Sequence, residues 1–131
     1  MSPDQRSLPW PTLERWLITL IAAHSIGVGL MLLFIPNWAV SFAGWHGADP
    51  IFFILQAGAF HFVLAAGYLV EHHRYGTAYL LFIAKGTAFV FLLSATFLTE
   101  VPWSVPFSGV ADGAMAGAVL LVRRMGAGLS R

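Results

Sequence analysis

Four residues of this 131-residue chain could carry charge or exchange protons from within apolar surroundings: His24, His61, Lys85 and Asp112. Lys85 interrupts the run LLFIAKGTAFVFLL (80–93). An ammonium left alone in hydrocarbon there costs about 3 kcal/mol or more. Asp112 offers the opposite charge, so the simplest arrangement is a Lys85–Asp112 pair with two neutral imidazoles completing the hydrogen bonding. Such a cluster has three uses. It fixes which helix faces which, as structural glue. It binds a small molecule, with Lys85 and Asp112 giving charge-assisted hydrogen bonds to a carbonyl or hydroxyl head and the histidines exchanging protons with it. Or His24 and His61, facing one another, ligate a b-type haem as an electron carrier. Small neighbours (Gly27, Gly29, Ala57, Gly58) favour the haem alternative; the nearby charges, and the lack of an arginine at that depth for a propionate, oppose it. Gln56, Ser25, Thr87 and Ser108 extend the polar layer by about a turn, and Phe60, Phe82, Phe89 and Tyr68 are expected to line its apolar part.

These side chains meet only if the elements bring them to one depth. Four apolar blocks reach the length of about 20 residues that a spanning helix needs: 13–35, 51–70, 75–98 and 105–122. Pro36 ends the first, Pro50 opens the second, and Pro102 and Pro106 bracket the start of the last. The apolar stretch after Arg15 is longer than the h-region of a signal peptide, so a true first span is expected. EHHRYG (71–76) is predicted to be a tight hairpin whose His72 and His73 form a solvated turn, not a metal site. NWAVSFAG (37–44) is predicted to be a short interfacial helix stopped by Gly44. Lys85 then lies eleven residues from Arg74, which at 1.5 Å per residue is roughly 16 Å from that surface. Asp112 is eleven residues from Arg123, His61 ten from Glu71 and His24 nine from Arg15, so each span contributes one ionisable group to one layer.

The fold expected is an all-α integral membrane protein: an antiparallel four-helix transmembrane bundle over 13–123, between an N-terminal segment (1–12) and a tail (124–131). Apart from Lys85, the basic residues are Arg6, Arg15, Arg74, Arg123, Arg124 and Arg131. All fall at the termini or in the 71–76 hairpin, and connections 36–50 and 99–106 have none, so both termini are expected to be cytoplasmic. Trp38, Trp45 and Trp103 suit an aromatic belt on the other side, with Trp10 and Trp16 as its counterpart.

Composition supports a membrane setting. The chain is 58% hydrophobic and 10% charged, with mean hydropathy +0.75, whereas a soluble domain has about a quarter of its residues charged. With no cysteine, thiolate catalysis, disulfides and Cys-ligated clusters are excluded. A net charge of +1 gives no sign of a nucleic-acid partner. No phosphate-cradling glycine loop, HExxH zinc signature, nucleophile elbow or inverted transporter repeat is present, which argues against a hydrolase or an ATP-driven pump. Gly109, Gly113 and Gly117 form a smooth stripe, suited to packing within the bundle or to docking another chain.

The chain has Arg15 at the start of the first span, GVGLMLLFIP (27–36) closing it, Gly67–Tyr68 late in the second, Lys85 in the third and Asp112–Gly113 in the fourth. In this layout the span 13–123 resembles the small bacterial four-helix membrane proteins grouped as DoxX-like. The resemblance implies an inner-membrane component linked to quinone or sulfur redox systems, often an accessory subunit without its own activity; the absence of cysteine argues against direct sulfur chemistry. The expectation is therefore a binder of a quinone or lipid through His24, His61, Lys85, Asp112, Gln56 and Tyr68, with a purely structural subunit of a larger complex or homo-oligomer as the alternative.

Overall fold

The computed structural model describes residues 10–128, and these are all-helical: α1 (Trp10–Phe34), α2 (Pro36–Phe42), α3 (Ile51–Tyr75), α4 (Tyr79–Leu98) and α5 (Ser104–Gly128). Arg6 and Arg131 lie outside the described residues. Helices α1, α3, α4 and α5 are each long and apolar enough to cross a membrane, the signature of a multi-pass membrane protein. Their outward faces carry large apolar side chains such as Phe52, Phe53, Phe97 and Leu121, all exposed on the isolated chain. Such a surface suits hydrocarbon, not water.

Two pairs build the bundle: α1 packs on α3 and α4 on α5, and α1–α5 and α3–α4 contacts join the pairs. Small residues set the close approaches. A Cβ at Gly29 would stand 2.9 Å from the backbone oxygen of Gly58, so glycine is what lets α1 and α3 pack backbone to backbone. On α5, Gly109 lies under Leu92 and Leu93, and Gly113 under Phe89; a Cβ at Gly117 would meet nothing within 4 Å. Two of the three stripe glycines are thus used inside the bundle. The core draws on all four long helices through Ile18, Ile21, Tyr68, Leu81 and Val119.

The 71–76 segment differs from the hairpin expected. Helix α3 continues through Tyr75, the turn comprises 76–78 with Gly76 in the left-handed region (φ 65°), and α4 begins at Tyr79, four residues later than expected. The reason lies in Glu71. Ala78, at the N-cap of α4, has no side chain able to cap. The Glu71 carboxylate does so from α3, accepting hydrogen bonds from the Tyr79 N–H (2.7 Å), the Leu80 N–H (2.9 Å) and the Thr77 hydroxyl (2.6 Å). It satisfies two otherwise orphaned helix N–H groups and sets a negative charge at the positive end of the helix dipole. Arg123 fastens the same end of the bundle. Its Nε donates to Glu14 on α1 (2.7 Å) and its Nη2 to the Gly76 carbonyl (2.6 Å). His72 is half-buried with Nδ1 3.6 Å from Glu14, so it belongs to this cluster and is not part of a solvated turn.

At the opposite end, α2 runs Pro36–Phe42 with Pro36 in its first turn. Gly44 follows at φ 89°, where a Cβ would also press on Pro102 at 2.9 Å, and so brings the 43–50 connection against the 99–103 connection.

Candidate functional site

Each long helix sends one ionisable side chain into a shared cavity of about 410 Å³, walled by His24 (α1), His61 (α3), Lys85 (α4) and Asp112 (α5). The Lys85 Nζ donates to Asp112 Oδ1 at 2.6 Å, and the two side chains are 6% and 15% exposed. This is a charge-assisted hydrogen bond between nearly buried partners. Lys85 is six residues past Tyr79, roughly 9 Å along the axis, so its backbone is nearer the 76–78 turn than a count from Arg74 suggested.

Helical periodicity decides the rest of the wall. Val28 lies four residues from His24, Leu64 and Tyr68 three and seven from His61, Ala88 and Leu92 three and seven from Lys85, and Ser108 four from Asp112. All share the face of their ionisable neighbour. Phe91 and Phe107 supply the aromatic surface. Of the aromatics expected there, only Tyr68 lines the cavity. Phe60 and Phe89 lie outside its lining, and Phe82 packs on the core cluster.

Gln56 is exposed on α3 and lies outside the cavity, as does Thr87, exposed on α4. Ser25 is buried and does not line the cavity, and its hydroxyl has no partner among the described residues. Two further polar atoms stand unpartnered on residues of the wall itself: the Tyr68 hydroxyl and His61 Nδ1. Tyr68 is 1% exposed. A buried hydroxyl without a partner costs about 1–3 kcal/mol, which a partner supplied from the cavity would offset.

The chemistry available follows from this inventory. The ion pair is neutral as a unit. Around it stand a phenol that can donate, two imidazoles that can donate or accept, and an apolar remainder. Among the described residues the walls contain no arginine, and Lys85 is engaged by Asp112, so this lining offers no free lysine or arginine to a haem propionate. Among the described residues no group of three or more His, Asp or Glu is placed to hold a metal ion. No family model matches the chain, and no curated protein or solved structure matches it either.

Proposed function

We propose that this protein is a small bacterial inner-membrane component that binds a quinone-type or lipid-type molecule through its neutral polar head, as an accessory subunit of the DoxX-like kind. In this reading the bundle is antiparallel with both termini cytoplasmic. The observation that carries it is Tyr68, which lines the cavity that also holds the Lys85–Asp112 pair and whose buried hydroxyl has no partner among the described residues. A purely structural pair needs no cavity beside it and no unsatisfied polar group on a residue that lines that cavity. A carbonyl or hydroxyl head accepts from Tyr68 and from His61, while Lys85 strengthens the acceptor side by its charge.

The second reading, a structural subunit of a larger complex, draws on the completeness of the 2.6 Å ion pair, which needs nothing else to justify it. The two separate in a binding measurement. Purified protein in lipid nanodiscs is titrated with a decyl-substituted benzoquinone by calorimetry, alongside the double variant Lys85→Met/Asp112→Leu. Saturable binding by the native chain that disappears in a folded double variant supports the binder. Equal behaviour of the two proteins supports the structural subunit. A visible spectrum of the same preparation tests the haem alternative: a Soret band lost in His61→Ala would replace both readings.

A further inference from the structure

A second cavity, of about 260 Å³, lies beneath α2 and shares His24, Val28, Phe107 and Ser108 with the first. The shared residues come from α1 and α5, so the two spaces adjoin along the α1–α5 seam, at the end of the bundle that holds α2. The second space differs in chemistry. Apart from His24, its walls are apolar except for the hydroxyls of Ser104 and Ser108 and the indole N–H groups of Trp38 and Trp103. One side of it is a continuous aromatic chain: Trp38 stacks on Phe42 (5.2 Å), Phe42 meets Trp103 edge-on (5.9 Å), and Trp103 meets Phe107 (5.8 Å). The α2 backbone packs on α1 and α3, and its Phe42 ring meets Trp103 just before α5.

We infer, building on the binding function proposed above, that the occupant is a single-chain amphiphile: an uncharged oxygen-bearing head at Lys85, Asp112 and Tyr68, and a hydrocarbon chain lying under α2 between Trp38, Phe42 and Phe107. The charge of the head follows from the ion pair. A carboxylate or phosphate head would compete with Asp112 for Lys85 and leave a second anion unpaired beside it, which a buried site penalises. The direction of the chain follows from the shared wall. From the polar cavity, the space under α2 continues past His24 and Phe107 into aromatic surroundings.

Filling the groove tests this. Ala39, on α2, lines it, and Ala39→Phe places a ring where the chain would lie. Ala43→Phe does the same from the next turn and serves as the second variant. Val63→Phe adds bulk on the exposed face of α3 and is the control. The full chain in nanodiscs is titrated with three probes: 2,3-dimethoxy-5-methyl-1,4-benzoquinone without a chain, the same ring with a decyl chain, and decanoate. Comparing variants with one probe cancels the probe's own partitioning into lipid. Expected is a loss of about tenfold in affinity for the decyl probe in Ala39→Phe and Ala43→Phe, with the chainless ring within about twofold of native and Val63→Phe unchanged. Decanoate binds at least about tenfold more weakly than the decyl quinone. The inference is overturned if a folded groove variant binds the decyl probe as the native chain does, if both ring probes weaken equally, or if decanoate binds as tightly as the quinone. Failure of the chainless ring to bind the native protein would instead remove the underlying binding function.

Discussion

At Lys85 a single carboxylate, 2.6 Å away, neutralises the ammonium that the apolar helix would otherwise expel. Removing one partner leaves the other charged and alone, so Lys85→Met or Asp112→Leu singly should destabilise the fold by about 3–5 kcal/mol. The double variant should lie close to native stability, because both desolvation costs disappear with the pair. Thermal unfolding in detergent, compared across the three variants, reads this non-additivity. Tyr68→Phe is the complementary case. Its hydroxyl has no protein partner, so the fold should lose nothing, whereas affinity for the decyl quinone should fall by about 1 kcal/mol, a factor of about five. The four ionisable residues were legible because a charge within an apolar run is conspicuous. Gln56 and Thr87 were misassigned because depth was counted and direction was not. Gln56 is five residues from His61, about 140° around the helix, and Thr87 two from Lys85, about 160° away. The same rotation, applied to His24, His61, Lys85 and Asp112, points to Val28, Tyr68, Leu92 and Ser108.

Helix positions follow from apolar length, and all four spans were legible on that basis, as was the short α2 before Gly44. The junction of α3 and α4 was not. EHHRYG (71–76) reads as an early hairpin, but the decisive contact joins Glu71 to backbone N–H groups eight and nine residues later, which no local pattern announces. Glu71→Ala should therefore free the first turn of α4 and cost about 1–3 kcal/mol, with faster amide exchange at 79–80 and little change at the far end of the helix. Arg123 and Glu14 were equally illegible as partners, being 109 positions apart. The α1–α3 seam gives a second test. Gly29→Ala drives a methyl group into the Gly58 carbonyl and should cost about 1–3 kcal/mol, while Gly27→Ala, with nothing within 4 Å, should cost nothing. Paired melting curves for the two variants distinguish a packing requirement from a general intolerance of alanine.

Across the molecule, charge and polarity are sorted into three zones: the Glu14–His72–Arg123 cluster with the Glu71 cap at one end, the Lys85–Asp112 cavity within, and the aromatic roof of α2 at the other. The distribution of arginine predicts that the first of these faces the cytoplasm. Because the chain has no cysteine, one introduced thiol reports its side without ambiguity. An impermeant maleimide should label Glu100→Cys in intact cells and Met125→Cys only after lysis. The central claim is that the cavity holds an uncharged, oxygen-headed amphiphile. Its most direct test is mass spectrometry of organic extracts from the native chain and from folded Lys85→Met/Asp112→Leu, purified side by side. A molecule of that class, near one per chain in the native sample and depleted at least about tenfold from the double variant, is the predicted result. Identical extracts from the two proteins would contradict it.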